Sequence, residues 1–429
     1  MLNANIVAHM PTAMASIVTQ KARNKPYILD PQTHAFQHDI ALLQSTASGN
    51  QKKLRRSIDT LIRDYGSIVK DAIIDQERPL DPSDLTDDNA CKAFCQGVLK
   101  FQIDTLSKEA KQSDSQKYYR YLASNTNTPA PSFRPTMVVA PYFYLTSTGL
   151  RSWLPININC ARNSVTYAND TGLPLAVEIV ISRGLLVDEA SVNSIVAEYA
   201  QVAGIAAFLV WVDDFSEHSA SAEELRRFVA LIRQLANVAP VVNLYGGYFS
   251  TAIQRLGIVP GFAGVTHSLE YGEDRSVIPV GGGVPVAKFY LPSLHKRVNF
   301  RDAIRAIRAL DGFASKASFH ATICDCKECQ KVIDDDPESS FDAYGRTKAV
   351  SYMNRGRKVT REYPLTETRM HTVSHYMHRK RIEFSQKVTA SDIAARLRST
   401  QEQLSNKLQP EVIGHCEIWA SVIESLAPS

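Results

Sequence analysis

The stretch LAVEIVISRGLLVDEASVNSIVAEYAQVAGIAAFLVWVD, residues 175–213, decides the fold class. It begins with the apolar run Leu175–Ser182, continues through a helical pattern at Val192–Val202 and ends in a second apolar run, Ala206–Asp213. Near-continuous apolar strands separated by helices are typical of parallel sheets, whose two faces are both covered. The stretch therefore predicts a strand, a crossover helix and a second, parallel strand.

The same alternation continues along most of the chain. Six further strands are predicted at Tyr27–Asp30, Met137–Tyr144, Val241–Tyr245, Phe262–His267, Ala287–Leu291 and Ala317–Ile323. Helical patterns lie between them, as at Ala222–Leu235 and Phe300–Leu310. Eight such strands predict an α/β fold, a (β/α)8 TIM-type barrel, and a doubly wound open sheet is the alternative.

Composition divides the chain into five segments. They are the start of the barrel (1–51), a helical insertion and linker after the first strand (52–135), the remainder of the barrel (136–323), a zinc-binding subdomain with a basic segment (324–385) and C-terminal helices (386–429). The insertion contains an amphipathic helix over 52–74, a second helix at Cys91–Leu106 and a polar linker over 107–135. The C-terminal helices are predicted at Ser391–Leu408, with Ser391 as N-cap, and at Glu411–Leu426.

Overall composition describes an ordinary globular protein with a large core. The 429 residues are 44% hydrophobic and 21% charged, and the net charge of +4 does not by itself identify a polyanionic partner. No apolar run is long enough to cross a membrane, and the N-terminus has no secretory pattern. These features predict a cytoplasmic protein without membrane contact.

Three of the seven cysteines fall in the stretch Cys324-Asp-Cys326-Lys-Glu-Cys329. Closely spaced thiolates are typical of a structural zinc site, which needs four ligands at bonding distance. The fourth ligand is predicted to come from a downstream histidine cluster on one helix, His371, His375 and His378. The remaining cysteines, at 91, 95, 160 and 416, are predicted to be buried as small hydrophobic residues.

The spacing C-x-C-x-x-C with a distant histidine, after an α/β barrel, resembles the tRNA-guanine transglycosylase family. That family includes archaeosine enzymes and bacterial relatives that place 7-deazaguanines in DNA. Trp211–Phe215 resembles its Phe-Asp-Glu-Cys segment, Tyr245–Gly247 its Gln-Gly-Gly and Leu269–Glu273 its Leu-Ala-Val-Gly-Glu. Ile28–Asp30 followed by Phe36–Gln37 is similar to its Asp-Ser-Gly-Gly-Phe-Gln motif.

The resemblance implies specific roles. It makes His375 the fourth ligand of a structural Zn²⁺, Asp213 the residue that recognises the purine, and Tyr245, Gly246 and Gly247 substrate-binding residues. The chain departs from the family where Pro31–His34 replace the paired glycines. It also has no aspartate at the end of the eighth predicted strand, where the family has its nucleophile.

Base exchange needs two carboxylates near a flipped-out base, one attacking the anomeric carbon and one handling protons. Four acids follow predicted strands, at the end of a barrel where active sites form, and are the catalytic candidates: Asp30, Asp213, Asp214 and Glu273. The alternative for Asp213 and Asp214 is that they cap the next helix. His267 and His320 also follow predicted strands and are candidate substrate-binding residues.

Residues 346–381 contain ten Lys or Arg against two Glu, with tyrosines among them. This composition favours phosphate contacts and base stacking, and Arg355, Arg357 and Lys358 are the predicted nucleic-acid contacts. The alternative is an ordinary solvated face.

The leading hypothesis is a zinc-containing transglycosylase that exchanges or recognises guanine, or a 7-deazapurine base, in nucleic acid. DNA is preferred over tRNA because the barrel motifs are altered. One alternative is a non-catalytic nucleic-acid-binding relative with protein partners in a DNA-modification or phage-defence complex. Another is a barrel hydrolase or glycosidase with Asp213 and Glu273 as its acid pair.

Overall fold

A computed structural model describes residues 1–18, 25–46, 52–112, 121, 134–267, 275–278, 286–354 and 357–427. Within them the chain forms two compact units. Unit 1 comprises Met1–Asp213 and Leu231–Val242, and unit 2 comprises Asp214–Ala230 and Asn243–Ser429. Most of the predicted linker over 107–135 lies outside the described residues.

Unit 1 is built on parallel strands covered by helices. Its strands are β1 (Leu2–Asn3), β2 (Leu29–Asp30), β3 (Gln44–Thr46), β4 (Lys52–Leu54), β5 (Val138–Val139), β6 (Leu175–Ser182) and β7 (Ile205–Asp213). Its helices are α1 (Ala4–His9), α2 (Pro11–Ser16), α3 (Arg56–Tyr65), α4 (Ser67–Lys70), α5 (Asp88–Gln112), α6 (Leu150–Thr171), α7 (Arg183–Leu186) and α8 (Glu189–Ala200). Helix α9 (Ala222–Ala236) and strand β8 (Val241–Asn243) lie partly in each unit.

The fold is mixed α/β with a five-stranded parallel sheet in chain order, β5-β6-β7-β8 followed by β9 (Phe262–Val265). The opening stretch folds as predicted, since β6 and β7 pair in parallel up to Ser182 opposite Asp213. Both strands are almost wholly buried, as expected where helices cover both faces of a sheet. The side chain of Asp188 accepts from the N–H of Ser191 and so begins α8.

The predicted helix over 52–74 is broken into shorter elements. Residues Lys52–Leu54 pair with β3 as a strand, and Gly66 ends α3 because its φ of 109° suits glycine alone. The predicted helix at Cys91–Leu106 is confirmed within α5. The first predicted strand is present as the short β2, which pairs in parallel with β1.

Unit 2 contains helices and two hairpins in addition to β9. Its further strands are β10 (Lys288–Leu291), β11 (Lys296–Asn299), β12 (Thr347–Asn354) and β13 (Arg357–Pro364). Its helices are α10 (Tyr248–Arg255), α11 (Phe300–Ala309), α12 (Lys316–Thr322), α13 (Lys327–Val332), α14 (Pro337–Phe341), α15 (Thr366–Ser385), α16 (Ala390–Leu404), α17 (Pro410–Ile413) and α18 (His415–Leu426).

One strand prediction fails in unit 2, and a second is confirmed as a strand but with an antiparallel partner. The eighth predicted strand, Ala317–Ile323, is the helix α12, because the Ser315 side chain accepts from the N–H of Ser318 and begins a helix there. The seventh, β10, is a strand, but it pairs antiparallel with β11 in a hairpin. Apolar runs this short do not distinguish a strand from a buried helix.

The first C-terminal helix is confirmed as α16 with a different N-cap, and the predicted helix Glu411–Leu426 is divided at Gly414 into α17 and α18. Thr389, and not Ser391, caps α16, since the Thr389 hydroxyl accepts from the N–H of Asp392 while the Asp392 carboxylate accepts from the N–H of Thr389. Among the described residues, no helix combines the length and apolar character needed to span a bilayer.

Candidate functional site

Four side chains converge at one point in unit 2. Nδ1 of His375 lies 3.7 Å from Sγ of Cys324, 3.4 Å from Sγ of Cys326 and 3.3 Å from Sγ of Cys329. In a tetrahedral site with metal–sulfur and metal–nitrogen bonds of about 2.3 and about 2.0 Å, this separation is about 3.5 Å. All four residues are at most 3% exposed. The buried Cys3His cluster therefore fits a metal ion such as zinc, with the ligands predicted from the sequence.

A hydrogen bond from Nε2 of His375 fixes the tautomer of the ring and leaves Nδ1 facing the thiols. Nε2 lies 2.7 Å from the carbonyl oxygen of Tyr290, where only an N–H can bond. With its proton on Nε2, the imidazole keeps the Nδ1 lone pair for a metal. Phe289 stacks on the ring, with centroids 4.2 Å apart, and holds its plane.

Backbone hydrogen bonds orient the cysteine side chains. The N–H of Cys326 donates to Sγ of Cys324, and the N–H of Cys329, in the first turn of α13, donates to Sγ of Cys326. Glu328, also on α13, accepts from Nδ1 of His371 and from the Ser374 hydroxyl, both at 2.7 Å. These bonds hold α15 against α13. His371 is therefore a positioning residue and His375 the ligand.

A proton occupies the cluster when no metal does. Burial lowers the pKa of His375, but hydrogen bonds with Cys324 and Cys326 outweigh it and raise the pKa to about 9. A metal must displace that proton, as it must displace thiol protons. Its apparent affinity is therefore expected to fall as the pH is lowered.

Asp30, at the end of β2, is fully buried. Its Oδ1 accepts from the Tyr142 hydroxyl at 2.7 Å and from the N–H of Gln32 at 2.8 Å. The Tyr142 hydroxyl also lies 3.0 Å from Nδ1 of His34, whose ring stacks on Tyr142 and meets the edge of Trp211. Because the carboxylate is enclosed, Asp30 positions Tyr142 and His34 in this arrangement.

Asp213, at the end of β7, is only partly buried. Its Oδ2 accepts from the Tyr144 hydroxyl at 2.7 Å, and the side chain of Gln37 holds the Tyr144 backbone through two hydrogen bonds. Burial lowers the pKa of His38, while the nearby Asp213 carboxylate opposes that shift. His38 is therefore neutral at neutral pH and able to accept a proton beside Asp213.

One short segment connects the two acids. Tyr142 donates to Asp30, and Tyr144, two residues later, donates to Asp213. The predicted candidates Asp30 and Asp213 thus belong to one polar cluster of unit 1, which we call the acidic cluster: Asp30, His34, His38, Tyr142, Tyr144 and Asp213. Sequence reasoning did not identify its tyrosines and histidines, although Tyr142 and Tyr144 stand at the end of a predicted strand.

Asp214 is exposed and has a left-handed backbone, with φ of 54°. The alternative that Asp213 and Asp214 cap the next helix is not what the structure has. Ser221 and Glu224 cap α9 reciprocally, since the N–H of Ser221 donates to Glu224 at 2.8 Å and the N–H of Glu224 donates to Ser221 Oγ at 3.2 Å.

The segment Tyr245–Gly247 serves local packing in unit 2. The buried carboxylate of Glu217 accepts from the N–H of Gly247 at 2.9 Å and from the Ser250 hydroxyl at 2.5 Å. A Cβ at Gly246 would clash with the side chains of Asn243 and Val265, so glycine is required there by close packing. The amide of Gly247 is therefore occupied within the protein itself.

The remaining predicted residues are dispersed. His267 packs its ring edge against Phe384, and His320 lies on α12, where Nδ1 donates to the carbonyl of Cys324 at 3.0 Å. His320 is thus beside the metal cluster and not at a strand end. Glu273 and Arg355 lie outside the described residues.

The basic segment forms the antiparallel hairpin β12–β13 followed by α15. The register places Val350 opposite Arg361, and Asn354 opposite Arg357, so Arg357 and Arg361 share one face of the hairpin. That face also carries Lys348, Tyr352 and Tyr363, and the Arg361 guanidinium lies 5.8 Å from the Tyr352 ring centroid. Lys358, opposite Met353, belongs to the other face. The predicted contacts Arg357 and Lys358 are both exposed but point in opposite directions.

The other four cysteines are buried, as predicted. Three of them also converge, with the sulfur atoms of Cys91, Cys95 and Cys160 within 4.8 Å of one another between α5 and α6. Their separation in sequence gave no signal of this. Among the described residues, no His, Asp or Glu joins this group as a fourth ligand, in contrast to the Cys3His cluster.

Comparison of the chain with protein-family models, curated proteins and solved structures gives no match.

Proposed function

We propose that the chain is a zinc-containing nucleobase transglycosylase that exchanges guanine, or inserts a 7-deazaguanine, in a nucleic acid. The observation that supports this most is the acidic cluster. It offers a partly exposed carboxylate, Asp213, in contact with a phenol, Tyr144, and near a neutral imidazole, His38. Base exchange needs a carboxylate together with groups that move protons.

In this proposal Asp213 is the reachable carboxylate and Asp30 positions the aromatic wall. The bond from the anomeric carbon to the purine nitrogen breaks as a carboxylate oxygen bonds that carbon. The departing purine takes a proton from the Tyr144 hydroxyl, which leaves a phenolate. The incoming base then bonds the same carbon and releases the carboxylate, and its ring proton returns to the Tyr144 phenolate directly or through His38. Asp213 could serve in one of two roles: its carboxylate attacks the sugar, or it recognises the edge of the purine.

We assign the Cys3His cluster to a structural zinc ion, because four buried protein ligands leave no open position for a substrate. We further propose that the parallel sheet is part of a (β/α)8 barrel. Supporting this, its five strands follow one another in chain order, and the backbone N–H of Thr136, just before β5, donates to Tyr27, just before β2. The eighth strand of that barrel is not supplied by Ala317–Ile323.

The face of the β12–β13 hairpin that carries Arg357 and Arg361 is the proposed nucleic-acid surface, with DNA preferred over tRNA. Three basic residues and two tyrosines there provide phosphate contacts and stacking. The proposed test is incorporation of labelled guanine or 7-deazaguanine into duplex DNA and into tRNA. Incorporation that Asp213→Asn abolishes supports the proposal, and no incorporation into either substrate contradicts it.

One observation favours a second candidate, a non-catalytic nucleic-acid-binding protein acting with partners in a DNA-modification or defence complex. Asp30 is 0% exposed, and α12 carries no aspartate, so the chain presents one reachable acid in the cluster where base exchange uses two. Nucleic-acid binding without base exchange would support this candidate.

A further inference from the structure

A cavity of about 620 Å³ lies in unit 2 beside the cysteine turn. Its wall comprises the β10–β11 turn, the end of α12, and parts of α15 and α16. The volume is in the range of small-ligand sites. Two arginines, Arg379 and Arg396, line it, and among its described lining residues Asp325 is the one acid.

Arg379 is a largely buried cation with a weak partner. Its side chain is 12% exposed, and its ion pair with Asp325 spans 3.7 Å to a carboxylate that is itself 69% exposed. Its Nε is buried without a hydrogen-bond partner among the described residues. Buried guanidinium groups normally have their donors satisfied, because an unpaired buried charge is costly. Arg379 therefore has donors available for an anion.

The buried acid one turn further along α15 does not compete for those donors. Glu383 already accepts from the Tyr290 hydroxyl at 2.6 Å and from Nδ1 of His295 at 2.8 Å, and it pairs with Lys380 at 3.3 Å. Burial would raise the pKa of the Glu383 carboxyl, but Lys380 and His295 hold it below its ordinary value. Its charge is balanced locally, and the cavity wall is left with an excess of positive charge.

The same wall also offers acceptors. In the tautomer in which Nδ1–H of His320 donates to the Cys324 carbonyl, Nε2 is an acceptor, and it is buried without a partner among the described residues. Oγ of Ser293 is likewise buried without a partner there. An acceptor nitrogen needs a ligand that donates, such as a hydroxyl. The cavity thus combines anion-binding and hydroxyl-binding groups.

We propose that this cavity binds a phosphorylated sugar, such as the sugar-phosphate unit of a nucleotide. Arg379 and Arg396 hold the phosphate, since a guanidinium binds phosphate oxygens in pairs, and a sugar hydroxyl donates to Nε2 of His320. The source is either a free nucleotide or a nucleic-acid strand. The site lies outside the acidic cluster, and its existence does not depend on base exchange.

Calorimetric titration of the full-length, zinc-loaded protein tests the site, with ribose 5-phosphate, inorganic phosphate and a short single-stranded DNA as separate probes. Ribose 5-phosphate or the DNA is expected to bind more tightly than inorganic phosphate. Arg379→Gln should weaken that binding by at least about tenfold. Arg381→Gln, an exposed arginine on the same helix, should leave it unchanged. Asp213→Asn should also leave it unchanged, which separates this site from the proposed base exchange.

A folding check and a second variant distinguish loss of the binding site from loss of the fold. Zinc content verifies that Arg379→Gln is folded, and Ser293→Ala, which removes one hydroxyl, should weaken ribose 5-phosphate more than inorganic phosphate. Tight binding of ribose 5-phosphate identifies a free nucleotide as the source, and binding of DNA alone identifies a strand. Equal affinity for ribose 5-phosphate and inorganic phosphate without DNA binding, no binding of any probe, or binding insensitive to Arg379→Gln would overturn the proposal.

Discussion

The imidazole of His375 and the backbone of Tyr290 are joined by a 2.7 Å hydrogen bond from Nε2 to the carbonyl oxygen. The Tyr290 hydroxyl in turn donates to Glu383, two turns further along α15. Helix α15 is therefore attached to β10 at two points, one of which also sets the tautomer of the metal ligand. Loss of metal is expected to loosen α15 and the β10–β11 hairpin together.

We predict one zinc ion per chain, held by the Cys3His cluster. Cys326→Ser should remove it and lower the melting temperature, because structural zinc contributes folding free energy directly. Metal analysis and calorimetry provide the measurements, and Cys416→Ser, a buried cysteine outside both thiol groups, is the control. Full zinc occupancy in Cys326→Ser would contradict the assignment, and two ions per chain would point to Cys91, Cys95 and Cys160 as a second site.

The acidic cluster gives a second prediction. Asp213→Asn should lower base exchange by about 100-fold or more, and Tyr144→Phe should also lower it, since a positioned acid–base group contributes about 100- to 10,000-fold. The measurement is the rate of labelled-base incorporation at saturating nucleic acid. Asp214→Asn, the exposed neighbour, is the matched control and should retain the rate. If Asp213→Asn and Asp214→Asn lower the rate of base exchange equally, Asp213 has no specific role in the reaction.

The hairpin gives a third prediction, in which its two faces differ. Replacing Arg357 and Arg361 by Gln should weaken DNA binding and reduce the slope of log affinity against log salt by about 0.7–0.9 for each lost phosphate contact. Lys358→Gln, on the opposite face, should change neither. Fluorescence anisotropy at several salt concentrations measures both quantities. If Lys358→Gln has the same effect as the arginine variants, the basic segment acts as a diffuse charge without a binding face.

The fourth prediction concerns pH. Burial lowers the pKa of His218 to about 3 and that of His415 to about 2, and each Nε2 donates to a backbone carbonyl. In the unfolded chain both histidines take up protons below about pH 6.5, whereas the folded chain does not until far lower pH. The free energy of unfolding should therefore fall as the pH is lowered from about 6.5, by about 1.4 kcal/mol per pH unit for each histidine.

His415→Gln keeps an N–H donor for the carbonyl of Leu294 and removes the titrating group. It should reduce the loss of stability between pH 6.5 and 5.5 by about 1 kcal/mol, since the slope reaches its limit of about 1.4 kcal/mol per pH unit only at lower pH. Denaturant unfolding between pH 7.5 and 5.5 with zinc in excess provides the measurement. His9→Gln, at an exposed histidine in unit 1, is the control. An unchanged slope in His415→Gln would show that another group controls acid stability.

Predictions from the sequence were most accurate where local pattern and burial agree. Leu175–Ser182 and Ala206–Asp213 are long apolar runs ending in polar residues, and both are strands within one residue of the predicted bounds. The prediction failed at Ala317–Ile323, where a serine cap one position before Lys316 determines a helix in spite of an apolar run. Helix caps depend on one hydrogen bond and are easily missed beside a longer hydrophobic signal.

The sequence by itself determined the three cysteines of the candidate metal site, because three cysteines within six residues can reach one ion without a long ordered loop, and it determined the central strands. Tertiary structure decided what depends on contacts between distant segments. It distinguished His375 from His371 through two hydrogen bonds. His371 donates to the Glu328 carboxylate, whereas Nε2 of His375 donates to the Tyr290 carbonyl and leaves Nδ1 beside the cysteines. It brought Tyr142 and Tyr144 to acids at the ends of two other strands, and it left Nε of Arg379 buried without an acceptor among the described residues. Hydrogen bonds between residues this far apart in sequence leave no periodic signal, so only the folded chain reveals them.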